Sequence, residues 1–243
     1  MHNSKTNQPE KPVNEYDSRR LTSMSVQLFS PVKKWTKLQW LVHLSAWLIL
    51  AKLTWDYFGG NLTINPIQAA TQRTGKTALV FLMLSLACTP VSGLFGWKQV
   101  LKVRRLLGLY AFGFASGHLL IFSGIDYGFD LGLLWMELTQ KPYIWVGASA
   151  FSILLLLAIT SFPYWMKLLG KNWKRLHRLV YLAGILVVIH YAWAKKGDLF
   201  RLQGDILQPL LFGLLLLILL LLRMPKVKKG ILSSKAWLLT KSD

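Results

Sequence analysis

Acidic residues and cysteine are both scarce in this chain of 243 residues. Asp and Glu together number 10 against 29 Lys and Arg, which gives a formal net charge of +19. Basicity on this scale is typical of proteins that bind nucleic acid or membranes. The basic residues lie mostly between apolar runs, so the pattern favours a membrane protein and argues against a nucleic-acid partner. The single cysteine, Cys88, excludes an intrachain disulfide, and its apolar neighbours are typical of a small buried residue.

Motifs for catalysis are missing as well. The chain contains no nucleophile elbow, no His-Glu-x-x-His and no Gly-x-Gly-x-x-Gly that begins a helix. Residues 74–77 resemble the end of a phosphate loop, but Ala70 stands where the required glycine would be. The N-terminal residues lack the apolar core of a cleavable signal peptide. The chain therefore has no motif for a nicotinamide domain of its own, and no catalytic acid or base is evident.

Long apolar runs predict six membrane-spanning helices. A helix needs about 20 mostly apolar residues to cross a bilayer. The fold class is therefore an all-α integral membrane protein, a six-helix transmembrane bundle, in which Pro90 kinks or ends the second helix. Residues 1–37 are predicted to be a polar, disordered cytoplasmic tail, 38–223 the membrane domain and 224–243 a basic cytoplasmic tail. The predicted spans cover residues 38–57, 77–95, 106–125, 143–162, 176–193 and 206–222.

Lys and Arg are unevenly divided between the segments that separate the spans. The two tails and the loops at 96–105 and 163–175 hold 21 of them, whereas the three alternate loops, at 56–76, 126–142 and 194–205, hold 6. The positive-inside rule then places both termini in the cytoplasm. With that orientation the third and fifth predicted helices both run from inside to outside.

Two histidines lie in the fifth predicted span. His177 and His190 are 13 residues apart, which is roughly 20 Å along a helix and therefore two depths in the membrane. A polar ring in lipid is a functional candidate, and neutral imidazole is the usual axial ligand of haem iron. On a straight helix the two rings would point roughly 140° apart. The alternative is that each histidine merely forms a hydrogen bond to a neighbouring helix.

A third histidine, His118, lies in the outer half of the third span. His190 lies in the outer half of its parallel helix, so depth pairs the two as axial ligands of one outer haem. His177, near the inner end, would then bind an inner haem. Small residues before His118 leave room for a flat macrocycle or for close helix packing. Because Cys-x-x-Cys-His is absent, any haem would be b-type and bound non-covalently.

The predicted inner site lacks a second histidine. His177 precedes His190 by 13 residues, so a symmetric fourth histidine would stand 13 residues before His118. That position is Arg105, next to Arg104. Arginine is a poor iron ligand but a good partner for haem propionates or lipid phosphates. The alternative is a charge pair that follows the positive-inside rule. His43, in the first span, could be a ligand, line a quinone pocket or be structural, and the last two roles are favoured.

Several short motifs, taken in their order, resemble a known family. The chain is similar to the MsrQ (YedZ) family of haem-binding membrane subunits, which belongs to the ferric-reductase-like transmembrane superfamily. The resemblance covers roughly residues 38–225 and rests on the motifs in combination. They are Asn65-Pro66-Ile67, Thr74-Gly75, Cys88-Thr89-Pro90, residues 104–109, Lys141-Pro142-Tyr143, residues 158–161, Leu169-Gly170, and a stretch from Trp173 through His177 and Tyr181 to His190-Tyr191.

The resemblance implies a fold, a function and a set of cofactors. The family, with a ferric-reductase-like haem-binding fold, takes electrons from ubiquinol or menaquinol in the bacterial inner membrane. It passes them through one or two b haems to MsrP, a periplasmic molybdenum enzyme that reduces methionine sulfoxide in envelope proteins. The family's haem histidines match His118, His177 and His190 here. FMN has also been associated with the family, but no residue here identifies its site. The long polar N-terminus departs from most relatives.

Two other functions stay open. A stand-alone ferric or quinone reductase would use the same path of haem groups and would keep its activity without a partner. A transporter or membrane scaffold would use the histidines only structurally and would bind no haem. If the chain instead serves MsrP, as the resemblance implies, it is an electron-transfer subunit, and the sulfoxide-reducing site lies on its partner.

Overall fold

Helices are the only regular secondary structure in the described part of the chain. The computed structural model describes residues 35–195 and 207–224, together with residues 227 and 230. The chain divides into Met1–Thr36 and Lys37–Asp243, and the second unit contains every described helix. The described residues include no strand, so the predicted all-α class is confirmed. The α-helices are α1 (Lys37–Phe58), α2 (Pro66–Phe95), α3 (Arg104–Leu120), α4 (Leu131–Gln140), α5 (Pro142–Ile159), α6 (Pro163–Leu169), α7 (Lys171–Leu176), α8 (Leu179–Ala194) and α9 (Leu207–Leu221). A 3₁₀-helix covers Lys98–Lys102, and a π-helix, Ile121–Asp126, continues α3.

Four helical segments are long and apolar enough to cross a membrane. They cover the second to fifth predicted spans. The first predicted span forms α1, which has 22 residues, and the sixth forms α9, which has 15, but neither is among these four. The predicted tails lie almost wholly outside the described residues, as does most of the loop at 194–205. The four segments are Pro66–Phe95, Arg104–Asp126, Pro142–Ile159 and Lys171–Ala194.

Helix α2 begins 11 residues earlier than the predicted start at residue 77, so the prediction of a loop over 56–76 was wrong for its second half. Asn65 caps the helix, because its side-chain oxygen accepts a hydrogen bond from the backbone N–H of Gln68 at 3.0 Å. Pro66 follows at the first helical position, where its missing N–H has no consequence. The added turns of α2 bring Thr71 and Gly75 into the bundle as helical residues.

Helix α2 lies at the centre of the bundle. Half of the residues in its most apolar stretch are buried inside the protein, against 17% of those in each of the other three segments. Its largest fully buried side chains are Leu79, Leu82 and Leu86. The most extensive helix pairings are α2 with α3 and α5 with α8, while α1 and α9 pack on the outside. The two large pairings are the frame that carries the histidines.

Helix α2 continues through Pro90 to Phe95, so the proline does not end it. Proline has no N–H to donate to the carbonyl four residues earlier, which is that of Leu86. Arg223, just beyond α9, donates from Nη2 to this carbonyl at 2.5 Å and from Nη1 to the Tyr181 hydroxyl at 2.6 Å. The arginine therefore satisfies the acceptor that the proline leaves open and ties α9 to α2 and α8.

The fifth predicted span is interrupted, because a turn at His177 and Arg178 separates α7 from α8. His177 is therefore the C-terminal cap of α7, and only His190 lies within α8. The prediction of one regular helix that carries both histidines was wrong at this point. The angle of roughly 140° calculated for a straight helix does not apply, since the turn breaks the helical phase.

Two of the segments predicted as loops contain short α-helices. Residues 126–142 include α4, where the Asp130 side chain accepts hydrogen bonds from the backbone N–H groups of Gly132 and Leu133. Residues 163–175 include α6 and α7. Helices α4 and α6 are too short to span a membrane and connect the longer ones, whereas α7 begins the segment Lys171–Ala194.

Candidate functional site

His118 on α3 and His190 on α8 lie side by side. Their ring centres are 6.1 Å apart, and the ring planes are nearly perpendicular at 83°. Both side chains are half-buried between helices. The structure thus brings together the two histidines that the depth argument pairs, although they are 72 positions apart in the sequence.

A backbone carbonyl on α2 holds the His118 ring. Nδ1 of His118 lies 2.8 Å from the carbonyl oxygen of Thr71. A carbonyl can only accept a hydrogen bond, so Nδ1 of the neutral ring carries the proton and donates it. The lone pair of His118 is therefore on Nε2, the nitrogen left to bind a metal.

His190 is held in the same way by α5. Its Nδ1 lies 2.8 Å from the carbonyl oxygen of Tyr143, so this ring too has its lone pair on Nε2. Each histidine follows its carbonyl partner by 47 residues. The α2–α3 pair and the α5–α8 pair therefore hold their histidines with the same local arrangement.

A glycine lies beneath each ring. A Cβ on Gly75 would come within 2.9 Å of Nδ1 of His118, and one on Gly147 within 2.7 Å of Nδ1 and Cε1 of His190. Both distances are shorter than the contacts that real Cβ atoms make. Each glycine stands four residues after the carbonyl partner, one helical turn further along. No larger residue fits at either position while the rings keep their places.

The spacing of the two rings fits a shared metal. A metal bound by two imidazoles lies about 2 Å from each nitrogen, and the ring centre is roughly 1 Å further away. Two rings that bind from opposite sides would then have centres about 6 Å apart, close to the observed 6.1 Å. Fixed Nδ1 partners and free Nε2 lone pairs are the features that orient metal-binding histidines.

His177 has different surroundings from the other two histidines. Its Nε2 lies 3.3 Å from Oγ1 of Thr160, and that hydroxyl donates its own proton to the Leu156 carbonyl. The hydroxyl therefore accepts from Nε2–H of His177, which leaves the lone pair on Nδ1. The indole of Trp173 packs over the ring with centres 4.1 Å apart.

Arg104 and Arg105 begin α3, at the end opposite to His118. Arg105 is exposed, and its guanidinium lies 5.9 Å from the centre of the Phe162 ring. Arg104 is half-buried, and its backbone carbonyl accepts a hydrogen bond from the Ser85 hydroxyl at 2.9 Å. The structure therefore does not bring the two arginines into the His118–His190 site.

His43 on α1 is also outside this site. Its Nδ1 lies 2.6 Å from the Tyr110 hydroxyl, and the two rings meet edge to face. Tyr110 belongs to α3, two turns before His118. The structure thus gives His43 a polar partner on the histidine-bearing helix and leaves both favoured roles, structural and quinone-related, open.

The residues that hold the rings were missed as functional residues by the sequence argument. In the sequence, Gly75 belongs to a family motif and to a segment that only resembles a phosphate loop. No motif in the sequence marks Gly147, Thr71 or Tyr143 as a partner of a histidine. A usable signal exists, because Gly75 precedes His118 by the same number of residues as Gly147 precedes His190. Two glycine–histidine pairs of equal spacing in two apolar helix pairs indicate a repeated structural unit.

Comparison with known proteins gives one family for this chain. The family described as "Ferric reductase like transmembrane component" matches residues 73–188. A Rhodospirillum rubrum protein named protein-methionine-sulfoxide reductase heme-binding subunit MsrQ is 41% identical over 185 residues, which cover 74% of this chain and 86% of the relative. The protein of the same name from Herminiimonas arsenicoxydans is 38% identical and covers 77% of this chain and 84% of its own length. That from Xanthomonas euvesicatoria is 41% identical, with 65% and 76% covered.

The chain therefore belongs to the MsrQ family, within the ferric-reductase-like superfamily. The transmembrane family match and the four long apolar helices together identify it as a membrane protein. The resemblance inferred from the sequence motifs is confirmed.

Proposed function

We propose that this chain is a transmembrane b-type cytochrome that serves a methionine sulfoxide reductase. In this role it takes electrons from the membrane quinol pool, ubiquinol or menaquinol. It passes them through haem to a periplasmic molybdenum-containing partner of the MsrP type, which repairs oxidised envelope proteins. The chain itself is an electron-transfer subunit, and the sulfoxide-reducing site lies on the partner.

The observation that carries this proposal is the facing pair of His118 and His190. Each ring is anchored through Nδ1 to a backbone carbonyl, which leaves both Nε2 atoms able to bind iron. The names of the relatives describe them as heme-binding. Haem held by these two imidazoles would supply one-electron transfer.

The residues around the pair have distinct tasks in this proposal. His118 and His190 would hold the iron, and the Thr71 and Tyr143 carbonyls fix the tautomer and the orientation of the rings. Gly75 and Gly147 let the rings lie close to the helices behind them. Two rings anchored in this way would supply a ligand pair whose orientation is already set before the cofactor binds.

We propose six membrane-spanning helices, with α1 and α9 as the first and sixth. Both are apolar along most of their length, and six spans place the two termini on the same side. The distribution of Lys and Arg then puts both termini in the cytoplasm of a bacterium with the chain in its inner membrane. In this orientation His118 and His190 lie nearer the periplasm, where the proposed electron acceptor is.

A second, inner haem would have to use His177 as a ligand. His177 would have to release Thr160 from Nε2 or bind through Nδ1, and Trp173 already covers one face of its ring. Arg104 and Arg105 would bind propionates or lipid phosphates at that end of α3. The favoured stoichiometry is therefore one haem, with FMN left without an assigned site.

Reconstitution in vesicles tests the proposed function. Purified protein in proteoliposomes that contain quinol should reduce a soluble methionine sulfoxide substrate only when an MsrP-type enzyme is added on the outer side. The His190→Ala variant should not support the reaction, while a variant at the lipid-facing residue Leu119 should. No transfer from quinol to the added enzyme by haem-loaded wild-type protein would contradict the proposal.

The runner-up is a stand-alone ferric or quinone reductase, which the ferric-reductase-like match at residues 73–188 favours. Such an enzyme would use the same histidines but would need no partner. In the vesicle experiment it would reduce an external ferric chelate or quinone with the same rate whether or not the MsrP-type enzyme is present. That result would replace the proposed function with the alternative.

A further inference from the structure

A cavity lies between α1, α2 and α3. Its volume is about 560 Å³, within the usual range of small-molecule sites. Of the described residues that line it, none carries a charge, and only Thr54, Thr74, Tyr57, Tyr110 and Trp47 have polar side-chain atoms. An uncharged wall disfavours an anionic ligand such as a phosphate ester, because a buried charge needs a partner.

The mouth of the cavity carries exposed apolar side chains. Trp47 is 63% exposed, Phe58 83% and Leu120 58% within the protein. In a membrane these side chains contact lipid, so the cavity is open to a ligand that enters from the bilayer. Its occupant should therefore be neutral and lipid-soluble.

One wall of the cavity lies directly behind the histidine site. Thr74 lines the cavity, and the next residue, Gly75, lies under the His118 ring. Gly117 lines it as well, and the next residue is His118 itself. Because successive residues of a helix point about 100° apart, the same turns of α2 and α3 face the cavity on one side and the His118 ring on the other.

Glycines give the α3 wall a flat surface. Gly113 and Gly117 are one turn apart, and nothing lies within 4 Å of the place where either Cβ would be. A planar ring can therefore lie against the backbone of α3, as it could not against a row of larger side chains. This surface is next to the residue that carries the histidine.

A hydrogen-bonding group lies at the inner end of the same wall. Tyr110 lines the cavity, and its hydroxyl is 2.6 Å from Nδ1 of His43. A hydroxyl that is paired with an imidazole can donate to a carbonyl oxygen or accept from a hydroxyl group of a ligand. The Tyr110–His43 pair therefore suits a ring whose oxygen atoms are carbonyls in the oxidised form and hydroxyls in the reduced form.

We infer that this cavity binds the headgroup of the quinol donor, with the ring against Gly113 and Gly117 and one ring oxygen at Tyr110. The inference rests on the proposed function, since it assigns a place to the donor named there. It also gives His43 a role, as the residue that orients the Tyr110 hydroxyl.

Binding of a short-tailed quinone, ubiquinone-1, tests this assignment independently of turnover. Calorimetric titration of detergent-solubilised wild-type protein should show one site. Gly113→Leu fills the flat surface and should weaken binding at least about tenfold, since a leucine side chain excludes the ring. Tyr110→Phe removes one hydrogen bond and should weaken binding about 3- to 10-fold. Leu119→Phe adds comparable bulk to α3 outside the cavity and should bind as wild type does.

The outcomes separate this inference from the proposed function. Leu50→Trp fills the cavity from α1 and serves as a second variant in case Gly113→Leu does not fold. If the filling variants keep the wild-type haem spectrum and bind ubiquinone-1 like wild type, the cavity is not the quinol site, while the proposed function stands. A wild-type protein that binds haem but no quinone would also overturn the assignment. Protein without haem that still binds ubiquinone-1 in a Gly113-dependent way would support the cavity and contradict the cytochrome.

Discussion

Replacing Gly147 with alanine should weaken haem binding while the fold stays intact. A Cβ at this position would lie 2.7 Å from Nδ1 and Cε1 of His190. Carbon atoms pack at about 3.5–4.0 Å, so the imidazole would have to retreat by roughly 1 Å. The Tyr143 carbonyl lies on the same helix as Gly147, so the retreat also stretches the Nδ1 hydrogen bond of 2.8 Å beyond its useful range.

The size of the effect follows from what the hydrogen bond does. Loss of an outer partner of a metal-binding histidine typically lowers metal affinity by about 10- to 100-fold. We therefore expect haem to leave Gly147→Ala about 10 to 100 times faster than it leaves the wild type. Gly75→Ala should have a smaller effect, because its Cβ would meet the His118 ring at 2.9 and 3.2 Å.

The assay is transfer of haem from the detergent-solubilised protein to excess apomyoglobin, followed by visible absorbance. Gly213→Ala is the matched control, since its Cβ would make an ordinary contact of 3.6 Å with Val188. Alanine is a better helix former than glycine by about 1 kcal/mol, so none of the three variants should unfold its helix. If Gly147→Ala loses haem no faster than Gly213→Ala, the argument that glycine seats the ring is wrong.

Three further predictions address other parts of the molecule. Arg223→Ala should lower the free energy of unfolding, measured by thermal unfolding in detergent, by about 1.5–3 kcal/mol. The loss should be smaller in a Pro90→Ala background, because residue 90 can then donate to the Leu86 carbonyl. Equal losses in both backgrounds would contradict the role given to Arg223. His177→Ala should keep the low-spin spectrum of the haem between His118 and His190, and complete loss of haem from this variant alone would overturn the pairing. The hydrogen bond from the Lys141 ammonium lowers the pKa of Glu137 below its ordinary value of 4.5, so this pair stabilises the folded protein above that pH and ceases to do so as the pH falls through the lowered pKa. Glu137→Gln should therefore lower the melting temperature at pH 7 more than at pH 4, and an equal effect at both values would rule out the pair as the cause.

The helices were predictable because their physical cause is local. Length and apolarity alone identify α2, α3, α5 and α8 as spanning segments. The early start of α2 was also accessible, since Asn65 before Pro66 is a helix-start signal. It was overlooked because the apolar run begins later than the helix does.

The proximity of His118 and His190 was predictable in part. The distribution of Lys and Arg gives the orientation of the helices in the membrane, and that orientation gives the depth of each histidine. The two residues pair because they lie at the same depth in parallel helices. The turn at His177 was not predictable in this way, because an apolar sequence does not reveal which backbone bonds are broken. The anchors of the rings are backbone carbonyls, which every residue has, so residue type could not identify Thr71 and Tyr143.

The central claim is that His118 and His190 hold one haem between them. The most direct measurement is haem per polypeptide, with the visible spectrum, for wild type, His118→Ala and His190→Ala after expression with ample haem supply. The account predicts that wild type contains low-spin b-type haem and that either substitution removes or severely perturbs it. A wild-type protein that contains no haem, or histidine variants that keep the wild-type content and spectrum, would contradict it.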